Sequence, residues 1–379
     1  MILRPDSSFI FLSASGLAAV VTTALGFLSA VLHFWGKRPA VAAWLSRGTF
    51  ATFVGGLVCS LTGIGLRWIE VNHFPVQSMF EALTTTAASV YVMFAILYFV
   101  LGLYKTTGMV RGMSDLFLAL IMAGEFALLY YTNSQEKGPR TLPPALQSYW
   151  MSVHVPALLM AYVTMAIAYV ACMLFFTLKF IRQIVVKAAP QTENQAPLSR
   201  SMSIAGMLSF LGFVFLLPFA QIVNLAIFVP VAAIGYFLAK TGKLTTLDSW
   251  IDGFDKFSHT IFGIGFPFLT AGLMMGAFWA QEAWALYWGW DSKETSALIS
   301  WLIYVVYLHL RYVAGWKGER GFSVIMGGAI SIFITFQLFA LLPASQDSMH
   351  KYTDGISREG TELSAGQTGD KTGQVAQSK

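Results

Sequence analysis

Long apolar runs alternate with short polar breaks along nearly the whole chain. A helix that crosses a bilayer needs roughly 20 mostly apolar residues and must satisfy its own backbone hydrogen bonds. With that window, ten candidates stand out, at about 9–35, 48–69, 78–103, 113–132, 150–178, 203–219, 222–239, 257–280, 295–314 and 322–343. Only Pro218-Phe219-Ala220-Gln221 separates the sixth from the seventh, so that pair also reads as one broken or re-entrant hairpin. The pattern predicts an all-α, polytopic membrane helix bundle over 1–343, eight helices plus the hairpin. The first run is too long for the apolar region of a signal peptide and lacks a small-residue cleavage site, so it is read as part of the mature chain. Residues 188–202 read as a polar linker, and 344–379, rich in Ser, Thr, Gly, Gln and Lys, as an external tail, disordered from about 355 on.

Composition agrees. Only 11% of the 379 residues are charged, against about 25% in a soluble domain, which excludes that class. Two Cys allow neither a disulfide framework nor a Cys-only metal site. Both fall inside predicted helices, where buried, inert thiols are expected. The net charge of +5 is small and dispersed, which argues against nucleic-acid binding. Its distribution sets an orientation. Fifteen of the 24 Lys and Arg follow odd-numbered candidates, which places those breaks in the cytoplasm and both termini outside. Among the external cations, Arg67, Lys137, Arg140 and Lys293 read as solvated charges, with pairing to a carboxylate-bearing ligand as the alternative.

The densest chemical signal lies between the eighth and ninth candidates. Trp279, Trp284, Tyr287, Trp288 and Trp290 fall within twelve residues, followed by Asp291 and Glu294 at a helix start. An interfacial aromatic belt is one explanation. A platform for a flat hydrophobic ligand such as haem is the other, since indole and phenol rings offer large rigid faces with a polar edge. Asp291 is placed to N-cap the next helix, with Glu294 completing a capping box.

Around this loop the sequence resembles a known family. The segment from Trp284 is similar to the W-G-x-x-W-x-W-D-P-x-E signature of the WWD domain of cytochrome c maturation proteins, and its flanks, Gly265-Phe266-Pro267-Phe268-Leu269-Thr270, Gly272 and Gly276 to Ala280, match the CcsA/ResC branch (system II) best. His73 to Leu83 resembles H-F/Y-P-x-x-N-x-Y-E-S-L, and Leu146 to Val155 the segment carrying an external histidine. Tyr304, Tyr307, Leu308, His309 and Arg311 match Y-x-x-Y-L-H-x-R. Ala285 replaces a Gly, Ser292 a Pro and Ser78 an Asn. The hairpin of candidates six and seven has no counterpart in the family pattern.

The resemblance implies a membrane haem-handling subunit that moves haem b to the external face and presents it to apocytochrome c for thioether attachment, as part of a holocytochrome c synthase complex with a CcsB/ResB-type membrane protein. It assigns Trp279, Trp284, Trp288, Trp290, Asp291 and Glu294 to the haem platform and His154 and His350 to the iron as axial ligands, imidazole being a standard haem ligand. It also assigns His309 to an internal haem site. His309 lies some 14 residues into its candidate helix, roughly 20 Å below the external end, whereas His154 lies only about 6 Å deep, so one iron does not serve both. His73 is placed to position a propionate or a partner, and His33 and His259 read as structural. With no Cys-x-x-Cys-His and no Walker motif, the chain is neither a c-type cytochrome nor an ATP-driven transporter. Alternatives are a haem exporter or chaperone without ligation, a haem-delivery module of system I, and a quinone-binding subunit.

Overall fold

The computed structural model describes residues 7–36, 38–138, 147–186, 189–190, 196–199, 202–204, 220–242 and 244–335. Within them the chain is helical: α1 Ser7–Trp35, α2 Pro39–Val71, α3 Met79–Val100, α4 Gly108–Thr132, α5 Tyr149–Val185, α6 Ala220–Lys240, α7 Leu244–Trp284, α8 Ser292–Tyr312 and α9 Gly318–Phe333, with a 3-10 turn at Leu103–Lys105. Six of these, α1 to α5 and α7, are long and apolar enough to cross a membrane. The sixth candidate, 203–219, lies almost wholly outside the described residues, as do Arg140, His350 and the tail.

Two groups of helices pack side by side. One joins α1 to α4 around Phe53, Tyr91, Phe94, Leu118 and Met122. The other joins α5 to α7, α8 and α9 around Ala168, Phe175, Phe262, Tyr304 and Phe322. Outward-facing side chains such as Leu17, Val58 and Phe99 are apolar and exposed, as lipid requires. Between α5 and α7 the contact is glycine-lined. A Cβ on Gly272 would meet Leu158 at 2.6 Å, and Cβ atoms on Gly265 and Gly276 would collide with Thr164 and His154. Small residues of this kind let two membrane helices approach closely. The matched pairs run in opposite directions, so the helices are antiparallel, and the start of α5 lies beside the end of α7.

Several helices outrun their apolar windows because their ends carry paired charges. α5 reaches Val185, with Lys179 on Glu319 at 3.0 Å and Arg182 on Asp248 at 2.6 Å. α7 starts at Leu244, well before the expected 257, and its Asp255 is held by Arg311.

Arg67 corrects an expectation. It is no solvated charge but 4% exposed, donating to Glu81 Oε1 from Nε at 3.2 Å and Nη2 at 3.0 Å, and to the Lys137 carbonyl at 3.0 Å. Lys137 and Lys293 are half-buried rather than fully solvated. Lys137 donates to Asn133 Oδ1 at 2.6 Å, and burial lowers the Lys293 ammonium below its ordinary value despite the opposing charge of Asp291.

Candidate functional site

The Trp-rich segment is the last turn of α7 followed by the loop 285–291. Gln281 O accepts the Ala285 amide at 3.0 Å, and Ala285 then turns left-handed at φ 57° to end the helix. Glycine usually fills that position, because a Cβ there crowds the carbonyl. Trp290 is left-handed as well, at φ 57°. The loop closes on the predicted capping box: Asp291 caps α8, and Glu294 Oε2 accepts the amides of Gly289 at 2.8 Å and Asp291 at 3.2 Å. The two acidic residues of the signature therefore shape the loop. The same device opens α3, where Ser78 and Glu81 form a capping box, so Ser in place of Asn keeps a residue of equal capping strength.

The aromatics divide into an inner and an outer set. Trp279 is 3% exposed and packs edge-on to Trp284 at 4.9 Å. Trp290 is 71% and Tyr287 57% exposed, and Trp288 stands perpendicular to Trp290 at 6.1 Å. The Trp288 indole nitrogen is buried with no hydrogen-bond partner among the described residues. Trp150 and Phe278 lie tilted against each other with centroids 4.6 Å apart, and Ser148 hydrogen-bonds Glu282, tying the start of α5 to the end of α7.

His154 joins this shelf from α5. Its ring lies nearly parallel to Trp279, centroids 5.8 Å apart, and its Nδ1 is 2.7 Å from the Gly272 carbonyl oxygen. A carbonyl only accepts, so Nδ1 carries the proton, and in the neutral ring the lone pair falls on Nε2. The ring reaches a helix carbonyl because Gly276 has no Cβ; an added one would sit 2.7 Å from His154 Cε1.

The other histidines are placed differently. α8 begins at Ser292, earlier than expected, so His309 lies in its last turn, roughly 26 Å along the helix from the loop rather than 20 Å. It is exposed, facing away from the bundle. Its neighbours in Y-x-x-Y-L-H-x-R face inward: Tyr304 and Tyr307 are buried, and Arg311 pairs with Asp255. His259 bonds the hydroxyls of Tyr307 at 3.1 Å and Tyr312 at 3.4 Å, and His33 Nδ1 lies 2.9 Å from Ser29 O, both structural settings as expected. His73 Nδ1 lies 3.0 Å from Phe74 O, while its Nε2 is buried without a partner among the described residues. No cluster of three or more His, Cys, Asp or Glu suited to a metal ion occurs among the described residues. Beyond the Gly272–Gly276 spacing, nothing in the sequence marks Gly276 as what admits His154.

Fold and loop together define a polytopic membrane protein whose most elaborate surface is an aromatic shelf beside an oriented imidazole. The chain belongs to the cytochrome C assembly protein family, whose model matches residues 57–344, and its work lies in cytochrome c biogenesis. It is similar to the cytochrome c biogenesis protein CcsA of Trieres chinensis, 30% identical over 76% of this chain and 81% of that protein. It is likewise similar to CcsA of Heterosigma akashiwo, 31% identical over 76% and 79%, and of Gloeobacter violaceus, 30% identical over 86% and 90%.

Proposed function

We propose that this chain receives haem b in the bilayer, holds it at the Trp-rich loop and presents it to apocytochrome c. The observation that carries this reading is His154: its Nδ1 proton is committed to the Gly272 carbonyl and its ring is braced by Trp279, which presents an iron-ligating lone pair on Nε2. The shelf suits a flat ligand with carboxylate arms. Trp290 and Tyr287 offer exposed faces, and the Trp288 N–H is a buried donor suited to an acceptor such as a propionate.

In this reading His350 supplies the second axial ligand, and Trp279, Trp284, Asp291 and Glu294 hold the shelf's shape. The reaction adds each cysteine S–H of apocytochrome c across a haem vinyl group, sulfur bonding one carbon and hydrogen the other. The chain's contribution is orientation. The asymmetry of basic residues supports a loop and termini outside the cytoplasm. His309, exposed near the far end of α8, fits an internal site completed by a second membrane protein of the CcsB/ResB type.

Purified His154→Gly and His350→Gly variants test this through haem content and absorption spectrum. Both should lose haem or shift its spectrum, and added imidazole should restore the Gly variants. Unchanged spectra in both would overturn the ligand assignment. Thioether formation by the complex purified with its partner, against transfer of free haem alone, separates ligation from export.

A further inference from the structure

The α1–α4 half plays no part in the reading above, yet its interior holds many buried polar side chains, among them a regular row on α1. Ser8, Ser15, Thr22 and Ser29 recur every seventh residue, and all four are fully buried. A spacing of seven is two helical turns, so the row forms one seam. Each end of the seam meets paired charges. Ser8 donates to Glu70, which lies 3.7 Å from Arg67. Ser29 and Ser46 donate to Asp115, which Arg111 pairs at 3.2 Å. Between them Thr22 donates to Thr52 at 2.8 Å, and Tyr91 donates to the Ser15 carbonyl at 2.8 Å.

Glu125 of α4 stands in the middle of this seam. It is 1% exposed, and neither carboxylate oxygen has a hydrogen-bond partner among the described residues. Register places it: Gly26 of α1 faces Ala119 and Gly16 faces Leu129, so Glu125 lies level with Ala19 and Val20, between Ser15 and Thr22. Asp115 lies ten residues away on the same helix, about 15 Å. Among the described residues, the titratable group that faces it is the Tyr91 hydroxyl of α3, itself committed to the Ser15 carbonyl. An unpaired carboxylate in such surroundings is too costly to keep, so the neutral acid is the form this position tolerates. Simple packing does not call for a carboxyl here, since a leucine would fill the space without an unmet polar group.

We propose that Glu125 is a proton-binding site within the membrane, a neutral carboxylic acid set between α1, α3 and α4. Infrared difference spectroscopy of the full-length protein at neutral pH, wild type against the isosteric Glu125→Gln, tests it. The expected result is one protonated-acid carbonyl band that is lost in the variant and shifts down when wild type is moved into D2O. Absence of the band would overturn the neutral acid. A band unmoved in D2O would overturn the proton-binding role, since such a site must exchange its proton with solvent. The wild-type measurements need no variant, so they stand even if Glu125→Gln fails to fold.

Discussion

Arg311 grips Asp255 in parallel, Nη1 on Oδ1 and Nη2 on Oδ2, each at 2.9 Å. The pair joins α8 to α7 and is almost fully covered, with side chains 9% and 7% exposed, while the Gly318 amide adds a third bond to Asp255 at 2.8 Å. Removing one partner of a buried pair leaves the other uncompensated, at about 3–5 kcal/mol. Arg311→Ala and Asp255→Asn should therefore lower the thermal unfolding midpoint sharply. Arg311→Lys, which keeps the charge but not the fork, should fall between them and wild type.

Gly276→Ala should remove haem more than it unfolds the protein. Its Cβ would lie 2.7 Å from His154 Cε1, so the ring must leave the Gly272 carbonyl, and overpacking of this kind costs about 1–3 kcal/mol. Gly263→Ala, on the same helix with nothing within 4 Å, is the control. Haem per protein should fall in the first and hold in the second; equal loss in both would mean that the glycine does not admit His154.

Ala285→Gly should stabilise the loop. A left-handed alanine costs roughly 1–2 kcal/mol, and glycine gives back about 0.5–1 kcal/mol through its freer unfolded chain. The net gain, about 0.5–1 kcal/mol, should appear as a higher unfolding midpoint. Slower proteolytic nicking at 285–291 would report the same gain locally.

Acid should loosen the far end of the bundle through Glu319. Burial alone would raise its carboxyl, but the Lys179 ammonium and the Ser199 amide and hydroxyl outweigh it and hold the group below its ordinary value. A depressed folded-state value gives stability that is present above the unfolded value and is lost as pH falls through the folded one. Thermal midpoints taken from neutral pH downward should drop through the carboxylate range, and the drop should be smaller in Glu319→Gln.

Hydropathy made the helices legible, because a long apolar run in lipid has few structures open to it. The same averaging hid their ends: it treats Arg182, Asp248 and Asp255 as breaks, whereas each is helical and paired across helices. It also erased the α1 seam, since four small hydroxyls barely alter a window's mean. Arg67 reads as a solvated charge in the sequence because its partner Glu81 is 14 residues away, beyond any local pattern. The loop's caps were readable from Asp291 and Glu294, since capping is local chemistry. His309 was placed too shallow because three helical residues at the start of α8 are polar. The Gly272 carbonyl's role for His154 has no sequence signature, because the acceptor belongs to the main chain.

That last contact carries a consequence of its own. Histidines are often steered by an aspartate or glutamate, whose grip slackens when the surroundings turn acidic. A peptide oxygen has no such dependence. The Gly272 contact thus steers the His154 ring in the same way whatever the acidity of the compartment it faces.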